Sequence, residues 1–182
     1  NIDRISEEGV ELDRFYVFPM CSPTRAGLMT GRYTIRFGMA RSVIPPWRNF
    51  GLDPDEITLP EALGKLGYTH RGIFGKWHLA AGGPESHGFD NSDGETSNKE
   101  GNQKIKENPK DIFGITNRAL TWMKTQVKSE TPFFIQISHY AVHLAINHSK
   151  KSLENFKEND KISMPGNTQA RLKNGKNIIC LL

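Results

Sequence analysis

The chain has 182 residues, of which 36% are hydrophobic and 24% charged, with 24 Lys and Arg against 20 Asp and Glu. That is enough chain for one domain with a sizeable core, and it excludes intrinsic disorder by composition. A net charge of +4 with scattered basic residues suits anionic substrates but not nucleic acid, and no apolar run reaches membrane-spanning length.

The two cysteines, Cys21 and Cys180, lie too far apart for a disulfide framework or a zinc-finger spacing. The sequence opens at Asn1 without a methionine, in what reads as the middle of a helix, so the N-terminus is expected to be cut and any export signal lost with it.

Residues 1–8 read as a helix end stopped by Gly9. Val10 to Phe18 alternates toward a β-strand ended by Pro19, and a short helix is predicted from Ser22 to about Thr30, closed by Gly31. Arg32 to Asp55, rich in Gly, Pro and Arg, reads as loop. Thr58-Leu59-Pro60-Glu61 has capping-box spacing and starts a helix ending at Gly67. Tyr68 to Trp77 is a predicted buried strand, and the polar stretch Ala80 to Pro109 a long loop.

Helical spacing returns over Ile112 to Val127, and Pro132 to Ser138 reads as a central strand. Lys150 to Asn159 is charged and predicted helical. From Lys161 the hydrophobic periodicity is lost until the apolar end at Ile178–Leu182. Helices alternating with strands predict an α/β domain with a mostly parallel sheet. The expected division is a catalytic domain over 1–160 and an atypical tail over 161–182.

The chemistry centres on Pro19-Met20-Cys21-Ser22-Pro23-Thr24-Arg25-Ala26-Gly27-Leu28-Met29-Thr30-Gly31. A cysteine between a strand end and a helix N-terminus sits where backbone N–H groups and the helix dipole favour an anion. Arg25, one turn inside, can point back at the same spot, giving an electropositive thiol pocket suited to a nucleophile. An isolated cysteine beside an arginine is more often a buried structural thiol, and the whole segment is what changes that reading.

The whole segment, Cys-x-Pro-x-Arg followed by Leu-Met-Thr-Gly, resembles the signature of the sulfatase family. The resemblance implies that Cys21 is oxidised to formylglycine, an aldehyde, by a modifying enzyme that recognises the Pro and Arg. One hydroxyl of the aldehyde hydrate attacks sulfur to give a covalent sulfate ester. The second hydroxyl loses its proton as sulfate leaves, a step that a plain serine or cysteine could not perform.

Two further segments fit. In Gly75-Lys76-Trp77-His78-Leu79, Lys76 and His78 at i and i+2 of an extended segment face one side and can hold a tetrahedral anion. The segment resembles the second sulfatase signature, with Ala80 where Gly is usual, His70 where Ser or Thr is usual, and one residue more before Gly75. Next, Pro132-Phe133-Phe134-Ile135-Gln136-Ile137-Ser138-His139-Tyr140-Ala141-Val142-His143 is an apolar strand emptying into a histidine loop, where α/β sheets concentrate catalytic residues. By resemblance His143 contacts sulfate and protonates the leaving oxygen. His139 reads as a loop or supporting residue, and His87 as non-catalytic.

The resemblance implies an α/β, alkaline-phosphatase-like fold, incomplete at both ends, and a hydrolase of sulfuric esters. Its catalytic residues are Cys21, Arg25 and His143, with Lys76 and His78 binding sulfate. It also implies Ca²⁺ or another divalent cation, to which Cys21 contributes as the formylglycine hydrate. The remaining ligands, an Asp-Asp and an Asp-Asn pair, cannot be placed here and are expected before Asn1 and beyond about residue 180. Asp90 and Asp93 sit in the wrong part of the pattern. Hence this chain as given is expected to be inactive.

The implied partners are a small sulfate ester or a sulfated glycan and the modifying enzyme, with no nucleic acid and no membrane span. The implied location is extracytoplasmic: periplasmic, secreted or lysosomal. Alternatives are a phosphoester or phosphonate hydrolase of the same superfamily and a non-catalytic fragment.

Overall fold

The structure is a computed structural model that describes residues 2–40, 43–44, 49–79 and 82–158. Its helices are α1 (Ile2–Glu8), α2 (Cys21–Thr30), α3 (Leu59–Lys65), α4 (Ile112–Gln126) and α5 (Lys150–Glu158). Its strands are β1 (His70–Gly75), β2 (Asn91–Ser92) and β3 (Phe133–Ser138). Short 3₁₀ turns lie at Thr34–Phe37, Pro84–His87 and Val127–Ser129.

The strands form one sheet in the order β2-β1-β3, and both pairings are parallel. β1 and β3 run in register from His70 opposite Phe133 to Gly75 opposite Ser138. A central parallel strand needs cover on both faces, and β1 has it. Ile73 packs with Ala26, Met29, Trp77, Leu79 and Phe89, whereas the next residue, Phe74, packs with Ile115, Ala119 and Tyr140. Alternation along the strand thus sends one side chain to the α2 face and the next to the α4 face.

Local signals account for the helices. Thr58 and Glu61 form the anticipated capping box on α3, with Pro60 in its first turn. Gly31 closes α2 in the left-handed conformation at φ 64°, its N–H donating to Gly27 O. Gly75 ends β1 at φ 94°, and a Cβ there would lie 2.1 Å from Ser138 O, so only glycine lets the chain turn against β3.

Three expectations are corrected. Val10 to Phe18 forms no strand: Val10, Leu12, Phe15, Tyr16 and Val17 are between 60% and 86% exposed. Apolar alternation yields a strand only against a neighbour that supplies hydrogen bonds and a packing face, and among the described residues none lies beside this segment. The stretch Arg32 to Asp55 contains the 3₁₀ turn at Thr34–Phe37 and buries Met39, Ile44 and Leu52 in the core. The polar stretch after residue 80 contains a 3₁₀ turn and strand β2, which uses its backbone to pair with β1. The expected tail, Cys180 and Ala80 lie outside the described residues.

Candidate active site

Cys21 is the first residue of α2, preceded by extended Met20 at φ −139° and ψ 147°. Thr24 Oγ1 donates to Phe18 O and Met20 O at 2.9 and 2.8 Å, tying the approach to the helix start. No acidic residue occupies the first turn, so nothing opposes the positive end of the helix. Ser22, fully buried, donates to His78 O at 2.9 Å and accepts from Ile44 N–H at 3.1 Å. That pair of bonds fastens α2 to the segment leaving β1.

The same segment is held from other sides. Lys76 N–H donates to Ser138 O at 2.8 Å. Thr96 accepts from Trp77 N–H at 2.8 Å through Oγ1, donates from Oγ1 to Gly75 O at 2.6 Å, and accepts from His78 N–H at 2.8 Å through its carbonyl. His78 has φ 58°, so the segment is not extended, as the i, i+2 argument assumed. Lys76 and His78 both reach Cys21 because the backbone bends at Gly75 and again at His78, held by Thr96 and Ser22.

The side chains converge on one sulfur. His78 Nδ1 lies 3.2 Å from Cys21 Sγ, and the Lys76 ammonium, which donates to Asn98 Oδ1, is near enough for its charge to be coupled to the same thiol. Arg25 turns back along α2, donating to Lys76 O at 2.5 Å and to Ser138 Oγ at 3.4 Å. Cys21, Arg25, Ser138 and His143 line one open cleft of about 700 Å³, whose far wall includes Gln136 and Val43.

Burial and clustered positive charge set the protonation states. His78 is pushed down to about 4 by burial first, then by the charges of Lys76, Arg25 and His143, so it is neutral near pH 7. Burial also lowers Lys76, with Cys21 pulling against it and Arg25 with it, and lowers Arg25 against the pull of Cys21 and Tyr140. Such a pocket is short of negative charge and gains by taking up an anion.

His143 lies in the loop after β3, its N–H donating to Tyr140 O at 2.8 Å. Its Nδ1 is 2.8 Å from Leu144 O. A carbonyl only accepts, so Nδ1 carries hydrogen and Nε2 is the atom left for proton exchange. His139 is not part of the cleft lining. Burial lowers its pKa while Asp111 raises it, and its Nδ1 is buried without a partner. His87 is a buried brace between Gly83 O and Leu52 O, each 3.0 Å away, beside the Trp77 ring.

Sequence reasoning missed Thr96, Asn98 and Ser138. Ser138, at the carboxyl end of β3, had a positional signal; Thr96 and Asn98 lie in a polar stretch with no periodicity to single them out. Among the described residues no group of three or more His, Cys, Asp and Glu could hold a metal ion. Asp90 is paired with Arg71, and Asp93 with Arg118 and Gly75 N–H. The described residues therefore do not fit a Ca²⁺ site on their own.

Comparison with known proteins identifies the family and the fold. The model of the Sulfatase family matches residues 1–172. Arylsulfatase A of Bos taurus is 42% identical over 95 residues, covering 49% of this chain and 18% of its own length. N-acetylgalactosamine-6-sulfatase of Mus musculus is 33% identical over 191 residues, covering 84% of this chain and 36% of its own length. The chain thus spans well under half of these relatives.

The crystal structure of PsFucS1 sulfatase from Pseudoalteromonas sp. superposes with a TM-score of 0.66 at 21% identity, over 82% of this chain and 40% of that one. Ps i-CgsB, in complex with k-i-k-neocarrahexaose, gives 0.64 at 19% identity, over 81% and 39%. These two likenesses establish the α/β fold.

Proposed function

The chain belongs to the sulfatase family, and from that premise we propose that it forms the nucleophile-bearing part of an enzyme that hydrolyses sulfate esters with formylglycine made from Cys21. The observation that carries the reading is the convergence of His78, Lys76 and the helix α2 N-terminus on the Cys21 side chain. When present, hydrated formylglycine supplies two geminal hydroxyls, one to displace the leaving oxygen from sulfur and one to release sulfate as it loses its proton.

The chain's own residues do the rest. Lys76 and neutral His78 hold sulfate oxygens, the first as a point charge and the second as a directional donor. Arg25 braces Lys76 through its carbonyl and puts positive charge behind the nucleophile. His143, with Nδ1–H fixed on Leu144 O and a second proton on Nε2, gives that Nε2 proton to the leaving oxygen and takes one back from the hydroxyl that loses its proton as sulfate leaves.

A divalent cation, Ca²⁺ by family, belongs to the reading. The described residues do not assemble its ligands. The substrate is a sulfate ester, small or part of a glycan, and a formylglycine-generating enzyme is the required partner. An extracytoplasmic location follows from the family; no helix among the described residues is long and apolar enough to cross a membrane.

The test begins with mass spectrometry of the peptide ending at Arg25, from a host with the modifying enzyme. Loss of the thiol in favour of the aldehyde is expected. In the active protein, Lys76→Ala and His143→Ala should each lower kcat/KM for an aryl sulfate by about 10²-fold or more. An unmodified thiol, or faster turnover of the matching aryl phosphate, overturns the reading.

A further inference from the structure

Among the described residues no carboxylate pairs with Arg25. The direction of this long side chain is then set by uncharged acceptors. It has two, the carbonyl of Lys76 at 2.5 Å and the hydroxyl of Ser138 at 3.4 Å, both reached through Nη1. The first belongs to the backbone, so Ser138 is the side chain that aims the guanidinium.

Ser138 is well placed for this. It ends β3 opposite Gly75, is 9% exposed, and its carbonyl accepts Lys76 N–H at 2.8 Å. Gln136, on the same side of β3, donates from Nε2 to Ser138 Oγ at 3.0 Å. It is the polar residue in the apolar run Phe133–Ile137, and a half-buried amide there needs a partner. A hydroxyl oxygen has two lone pairs. Gln136 and Arg25 take both, which holds the oxygen between amide and guanidinium. Cys21, Arg25, Gln136 and Ser138 all line the cleft at the start of α2.

We propose that Ser138 is a positioning residue for the reaction, turning Arg25 toward Cys21, and that Gln136 acts through Ser138 and not on the substrate. The inference rests on the sulfatase reading and deepens it. Without the Ser138 hydroxyl the guanidinium keeps one acceptor, the Lys76 carbonyl, and is free to swing about it toward solvent. Positive charge behind the nucleophile then falls.

The first test needs no turnover. In protein made without the modifying enzyme Cys21 keeps its thiol, and its alkylation is followed by mass spectrometry of the peptide ending at Arg25. The rate with anionic iodoacetate is divided by the rate with neutral iodoacetamide, which cancels differences in access and in thiol ionisation. Ser138→Ala should lower this ratio about threefold at low salt, and Ser138→Thr should restore it. Gln136→Leu keeps the Ser138 backbone and its bond to Lys76, and should lower the ratio about twofold. A ratio unchanged in either variant overturns the proposal, so Gln136→Leu decides if Ser138→Ala does not fold.

The second test uses the active protein. Ser138→Ala should lower kcat for an aryl sulfate about tenfold, with KM moving less than about twofold. Gln136→Leu should lower kcat about threefold, and Q136L/S138A no further than S138A alone, because both act through one oxygen. Additive losses, about thirtyfold together, place Gln136 on the substrate and overturn the proposal. Absence of aryl sulfate turnover in the unaltered protein removes the catalytic reading, while the alkylation ratio still decides the hold of Ser138 on Arg25.

Discussion

Two stretches of this chain look alike in sequence and end differently. Val10 to Phe18 and His70 to Leu79 both carry alternating or continuous apolar residues beside a chemically important motif. The second becomes the central strand and its buried continuation, with Ile73, Trp77, His78 and Leu79 each at most 3% exposed. The first has no regular structure and leaves Tyr16 86% exposed. β1 has β2 on one side, β3 on the other, and helices over both faces, whereas residues 10–18 have no such neighbour among the described residues. Strand propensity records a capacity to be packed, and neighbours decide whether it is used.

The contrast can be broken most severely at Trp77, which packs against His87 and Phe89. Trp77→Ala should cost about 3–5 kcal/mol by chemical denaturation, because the buried site cannot close around so large a void. Thr96→Val should cost less, about 1–3 kcal/mol, by leaving Trp77 N–H and Gly75 O without their partner. It should also lower kcat more than it raises KM, since Lys76 and His78 lose their support, and Thr96→Ser should restore both.

The pH dependence is a subtler readout. His78 titrates at about 4 in the folded chain, below about 6.5 when unfolded, so between these values the unfolded state binds more protons. Its contribution to stability is therefore complete above about pH 6.5 and is lost as pH falls toward 4. His78→Gln should flatten that part of the stability profile, measured as urea midpoints at pH 7, 5.5 and 4.5; an unchanged slope would place the titration elsewhere. The smallest effect belongs to the exposed stretch. Val17→Ser should change stability by less than about 0.5 kcal/mol, and a larger loss would reveal packing against residues 10–18.

Much of the fold was legible because its signals are local. The capping box at Thr58 and Glu61, the glycine stop at Gly31 and the apolar run of β3 each act within a few residues, and the structure has a helix or strand at each. The two-residue strand β2 was not legible. It is made by backbone pairing of Asn91 and Ser92 with Gly72 and Ile73, which places no demand on side-chain pattern.

For the site, the sequence by itself determined which groups gather. Cys21 at a helix start and Arg25 one turn on follow from spacing and helix polarity, while Lys76 and His78 were singled out by their motif after a buried strand and not by the extended spacing assumed for them. Only the tertiary structure decided how they reach one another. The left-handed turn at His78 and the hold of Thr96, Asn98 and Ser22 on the segment after Gly75 arise between residues from 18 to 56 positions apart. Hydrogen bonds of that reach leave no periodicity in the chain, because any residue of suitable polarity can make them once folding has brought it near.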